Sequence, residues 1–97
     1  MQIKLFRMQN GEEVVAELVG ETADTYDISN PIVMVPGRDG TIGFAPWAPL
    51  LAEDVKVLTI RASYVVYVSV PNDQVVENYE QIFSPIIKPT SAGKIIT

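Results

Sequence analysis

Neither cysteine nor histidine occurs among the 97 residues. The first absence excludes disulfides and thiolate metal sites and leaves the redox compartment open. The second removes the commonest zinc ligand and the commonest general base. Basic residues are few: seven Lys and Arg stand against twelve Asp and Glu, a formal net charge of −5. That balance opposes a phosphate-binding surface spread over the whole monomer. It leaves room for a local basic rim, because binding depends on where charge sits. No apolar run approaches the roughly twenty residues of a membrane-crossing helix. Met1 leads into a strand-like run rather than a long apolar leader. A glycine-rich phosphate loop is lacking too, Gly37 and Gly40 reading as turn glycines. The acid pairs Glu12-Glu13 and Glu53-Asp54 read as solvated charge at strand edges. The serines have no histidine to activate them, and Lys4, Lys56, Lys88 and Lys94 lack a setting that would depress a pKa. The expectation is a soluble cytoplasmic protein that is not an enzyme, with no cofactor, no metal and no membrane partner.

What the chain does have is apolar, β-prone sequence. Its hydrophobic fraction of 47% and its length suit one domain with one core. Ile3 to Met8 read as a first strand, and Asn10-Gly11 is the strongest hairpin signal in the chain. A second strand spans Glu13 to Val19, and a polar turn covers Gly20 to Asp24. A third runs from Thr25 to Val35, interrupted at Asn30-Pro31. Proline lacks a ladder donor, so Pro31 marks a bend, bulge or edge. After a turn at Pro36 to Gly40, Thr41 to Phe44 form another short strand. Ala45 to Leu51 is an apolar loop holding the only tryptophan, Trp47. That side chain serves either as a lid on the barrel mouth or the neighbouring subunit, or as an exposed aromatic for stacking a base or binding a partner.

The densest β signal is Val55 to Val70, two runs about a break at Arg61-Ala62-Ser63 that read as paired strands. On strict alternation Tyr64, Val66, Val68 and Val70 share one face, and Val65 and Tyr67 the other. A solvated hairpin has one polar face; this one has two apolar faces and needs two covers. Beyond it, Asn72 or Asp73 caps a helix over 73–83, where Val75, Val76, Tyr79, Ile82 and Phe83 recur at helical spacing. Tyr79, Ile82 and Phe83 are expected to dock it. The chain thus divides into a barrel (1–71), an amphipathic helix (72–84) and a loosely ordered tail (85–97).

Ile60-Arg61-Ala62-Ser63-Tyr64-Val65-Val66-Tyr67-Val68 resembles the second signature of the Sm-like (LSm) family, with Ala62 where the family prefers glycine. Asn10 to Gly20 resembles the first, through Gly11, Val14, Val15, Leu18 and Gly20. Beyond Gly20 a straight count puts Tyr26 where the family has asparagine. A longer hairpin puts Asn30 there, with Asp24 or Asp27 as the acid. The Asn-Pro in the third strand and the tyrosine-containing terminal helix are similar to those of bacteriophage-encoded Sm-like proteins.

The resemblance implies a small, strongly bent, five-stranded antiparallel SH3-like barrel that forms homo-oligomeric rings by pairing edge strands of neighbouring subunits. Tyr64, Val66 and Val68 are then interface candidates. It also implies single-stranded, often uridine-rich, RNA bound near the pore, with Arg61, Asn30 and Tyr26 as contacts. The alternative is an oligomeric structural or protein-binding hub without RNA. A phage-encoded protein of this kind works in a bacterial host's cytoplasm.

Overall fold

A computed structural model of the chain describes residues 1–83. Its strands are β1 (Ile3–Met8), β2 (Glu13–Glu21), β3 (Thr25–Pro36), β4 (Ile42–Pro46), β5 (Leu58–Arg61) and β6 (Val65–Ser69), followed by a helix, α1 (Asp73–Phe83). The Asn10-Gly11 signal makes the turn it predicts. Gly11 takes φ +93°, a value that glycine reaches without a Cβ clash. The Asn10 side-chain oxygen accepts the Glu12 N–H at 3.0 Å, closing an Asx turn. β1 and β2 then pair antiparallel from Arg7↔Glu13 to Ile3↔Glu17.

The strands form one antiparallel sheet in the order β4-β3-β2-β1-β6, with β5 pairing the first half of β3. The sheet has six strands and does not close into a barrel, a correction to the expected closed five-stranded one. The expected pairing of the two runs around Arg61 is also absent: β5 pairs β3, and β6 pairs β1. Between them lies a single 3₁₀ turn, Ala62–Tyr64, flanked by extended Arg61 (φ −77°) and Val65 (φ −100°). A tight two-residue hairpin needs positive φ in its turn. Arg61-Ala62-Ser63 has no glycine to supply it, so the chain turns a corner instead of reversing on itself.

Three irregularities bend the sheet. At Asn30-Pro31 the ladder steps from Val15↔Ile32 to Glu17↔Ser29, leaving one extra residue on β3. Asn30 takes φ +50° there. Since strand side chains alternate, one extra residue exchanges the two faces. Tyr26 and Ile28 therefore face one cluster, as does Val33, while Ile32 faces the other. A second bulge leaves Val19 unpaired between Leu18↔Ile28 and Gly20↔Asp27. The third leaves Val66 unpaired between Met8↔Val65 and Arg7↔Tyr67. It breaks the alternation expected of the last strand. Val65 and Val68 turn to the core together, and Val66 and Tyr67 are exposed.

Two apolar clusters lie on opposite faces of the bent sheet. Phe6, Met8, Val14, Ala16 and Ile28 form the centre of the inner one. Ile3, Val15 and Ile32 form the other, together with Tyr79 of α1. The helix is capped by Asn72, whose side-chain oxygen accepts the Val75 N–H at 3.0 Å. Val75, Val76, Tyr79 and Phe83 pack on the sheet. Ile82, expected in this contact, is exposed; the row Val75, Tyr79 and Phe83, four residues apart, makes the contact with Val76 beside it. Tyr79 is fully buried, and its hydroxyl donates to the Ser29 and Asn30 carbonyls at 3.1 and 3.0 Å. The helix is thereby fixed to the β3 bend.

Trp47 is half-buried against the inner cluster. Its indole N–H donates to the Glu12 carboxylate at 3.1 Å, so the ring covers its own chain's core. Ala45 and Pro46, expected in the loop, belong to β4. No helix among the described residues is long and apolar enough to cross a membrane. The loosely ordered tail expected over 85–97 lies outside the described residues.

Candidate functional site

The corner at Arg61 is built from three segments distant in sequence. Thr25 pairs with Arg61, bringing the β2–β3 turn beside the 3₁₀ turn. That β2–β3 turn is held by Thr22, whose hydroxyl accepts the Asp24 and Thr25 N–H groups at 3.2 and 3.1 Å. The Asp24 carbonyl in turn accepts the Ala62 N–H at 2.8 Å. From the other side Gln9 donates through its side chain to the Ser63 carbonyl at 2.6 Å and through its backbone to Tyr64 at 2.9 Å. These bonds fix the corner without the Arg61 side chain. Arg61 is exposed, and the ion pair found among the described residues is Arg7–Glu13, at 3.4 Å. Arg61 lines an open depression of about 610 Å³ with Ala23, Asp24, Thr25, Ala62 and Ser63.

Among the residues that line this depression, Arg61 carries a planar fork of donors, Asp24 a carboxylate, and Ser63 and Thr25 hydroxyls, the last bonded to the Thr22 hydroxyl at 2.8 Å. The fork suits a base edge or a phosphate, and the carboxylate suits an amino or imino donor on a base. Asp24 is the acid brought here. Asp27, the other acid considered, instead accepts the Thr59 hydroxyl at 2.7 Å.

The other candidate RNA contacts are not assembled with Arg61. Tyr26 pairs with Ile60 and so points to the opposite face of the sheet. Its ring packs edge-on against Phe6 at 5.7 Å and is part of the core. Asn30 sits at the β3 bend, five positions along the strand from Thr25, at a distance of roughly 16 Å at 3.3 Å per residue. Sequence reasoning passed over Gln9, Thr22 and Ser63, which hold the corner. The Thr22 turn was legible in principle as a short Ser/Thr turn motif; the Gln9 contact, made across the sheet, had no local signal.

Of the interface candidates, Tyr64 and Val66 are exposed, at 41% and 61%, and Val68 is not, because the bulge at Val66 turns it inward. Among the described residues β6 and β4 end the ladder order, so each has one edge without a partner strand there. The β4 edge carries Ile42, 60% exposed. No protein-family model matches the chain, and no curated protein matches it.

Proposed function

We propose that this is an Sm-like subunit of a homo-oligomeric ring that contacts single-stranded RNA weakly through Arg61. The observation that carries the reading is the exposed guanidinium on a corner that other bonds hold in place. A side chain left out of the local bonding is available to a ligand. Assembly is supported by the free β4 and β6 edges, where Ile42 and Val66 expose apolar surface. Unpaired edges of this kind template pairing with another chain. In a closed ring each subunit places one Arg61 in the same position, giving a local positive ring on an acidic protein.

The test measures RNA affinity and particle mass on the wild type and Arg61→Ala. The expected result is weak binding of a short uridine-rich strand, weaker still at higher salt because few phosphates are contacted. Arg61→Ala abolishes binding and leaves the mass unchanged. A second reading is a structural or protein-binding hub without RNA. It is favoured by the Tyr26 ring in the core, which removes the base-stacking platform, and by the Asp24 carboxylate beside Arg61. Absence of wild-type RNA binding with an intact oligomer selects the hub.

A further inference from the structure

The tip of the β1–β2 hairpin carries a reactive pair, Asn10-Gly11, outside the Arg61 depression. Asn10 is exposed, and Gly11 has no side chain to shield its backbone nitrogen. Apart from its chain neighbours, no atom lies within 4 Å of where a Cβ on Gly11 would stand. Asparagine is among the thermolabile residues, because its Cγ is open to attack by the nitrogen of the next residue. A new N–Cγ bond closes a cyclic imide, the Cγ–Nδ2 bond breaks, and ammonia leaves with the proton that the nitrogen gives up. Water then opens the ring at either carbonyl and leaves an aspartyl or an isoaspartyl residue. The other asparagines are poorly placed for this chemistry. Asn30 precedes Pro31, which has no N–H to give up. Asn72 caps α1 and Asn78 lies within it, each followed by a residue with a bulky or charged side chain.

The closed turn restrains the reaction. The Gly11 N–H donates to the Met8 carbonyl at 2.9 Å, and the Asn10 amide donates to the Glu12 carboxylate at 2.9 Å. Exposed turn tips open locally more readily than core strands, and each opening frees the Gly11 nitrogen. Conversion takes away a donor and adds a charge. The Glu12 oxygen that accepts the Asn10 amide also accepts the Trp47 indole at 3.1 Å. An ionised carboxylate can only accept, so the aspartyl product meets Glu12 with like charge and no bond. Glu12 is then driven from the position in which it holds Trp47. The isoaspartyl product also routes the main chain through Cγ, which lengthens the turn next to Gln9. Gln9 is the residue whose backbone and side chain hold the Tyr64 and Ser63 carbonyls at the Arg61 corner.

We propose that Asn10-Gly11 is a site of spontaneous deamidation whose products release Trp47 from Glu12 and loosen the Arg61 corner. The test ages the full chain in mildly alkaline buffer. Peptide mapping locates the conversion, and a protein isoaspartyl methyltransferase with a labelled methyl donor counts the isoaspartyl product. Conversion at Asn10 is expected to run several-fold faster than at Asn30, Asn72 or Asn78. Glu12→Ala, which removes the acceptor of the Asn10 amide, speeds it several-fold. Asn10→Gln, whose longer side chain closes the ring slowly, suppresses it. In the aged wild type Trp47 emission moves to longer wavelength, and amide exchange of Gln9 and Ala62 accelerates several-fold. Asn10→Asp shows the same Trp47 change without ageing; the aged wild type, folded before it is modified, gives that readout independently of the variant. Conversion at Asn10 no faster than at the other asparagines overturns the proposal. So does full conversion with Trp47 emission and amide exchange unchanged.

Discussion

The Tyr79 hydroxyl is shared between two carbonyls at a bend, and its side chain is fully buried. Burial pushes its phenol up to about 12; a bond from the Glu17 backbone opposes the shift and the Glu17 charge adds to it. The folded state therefore keeps the proton at a pH where the unfolded chain releases it. Stability from this group is complete below pH 10, the ordinary tyrosine value, and declines as pH rises towards about 12. Tyr79→Phe leaves the carbonyls without their donor and is expected to cost about 1–3 kcal/mol. Urea midpoints measured from pH 9 to 12 should fall less steeply with pH in the variant than in the wild type. Glu12 behaves in the opposite sense. Its carboxylate accepts the Asn10 amide at 2.9 Å and the Trp47 indole at 3.1 Å, and these bonds hold it below the usual glutamate range. Its contribution is present above the unfolded value and is lost as pH falls through the folded one. Trp47 is the only tryptophan, so its fluorescence reports the contact directly. An acid transition with a midpoint below 4.5 is expected, and Glu12→Ala should abolish it while leaving the fold intact.

At the scale of elements, the β3 bend decides which residues face which cluster. Asn30 holds φ +50°, a region that glycine enters freely and β-branched residues enter with strain. Asn30→Gly should be nearly neutral in a thermal melt. Asn30→Val should lose about 1–3 kcal/mol, and equal melting temperatures for the two would show that the bend is not set by this backbone angle. The elements legible in the sequence were those specified by neighbours along the chain. Local pattern predicts β1 over Ile3–Met8 and α1 over Asp73–Phe83, and the structure has both with those bounds. The Asn-Gly turn and the break at Asn30-Pro31 were local chemistry too. Pairing was less legible. Two valine-rich runs around Arg61-Ala62-Ser63 look the same whether the chain reverses or turns a corner, and only partners elsewhere in the sheet decide. The bulge at Val66 had no sequence mark, so Val68 was placed with Val66 when it belongs with Val65. Near the candidate site, the end of a strand at Arg61 and the break after it are legible in the sequence. Tyr26 and Asn30 are misplaced relative to Arg61 because face depends on the β3–β5 register and distance on position along β3, and neither is marked locally.

At the scale of the whole molecule, the ladder of the described residues begins and ends on strands with one bare edge each. Ile42 and Val66 lie on those strands and are mostly exposed, so changing them disturbs no core contact. Val66→Lys or Ile42→Lys puts a charge where another copy would pair, a device that blunts sheet edges. Each is expected to lower the particle mass in light scattering towards the monomer, with an unchanged far-ultraviolet circular dichroism spectrum. An unaltered mass in both variants would show that copies meet through some other surface.

The pairing of β1 with β6 also has a consequence during synthesis. Leu5 meets Ser69 and Phe6 meets Val68, so one of the earliest strands waits for one of the last. As the chain leaves the ribosome, β1 to β4 can form a meander from neighbouring segments, while the outer edge of β1 stays bare until β6 emerges. Loop closure over so long a span makes this the slow event in folding, and until it happens the nascent chain offers a strand edge to any other nascent copy nearby.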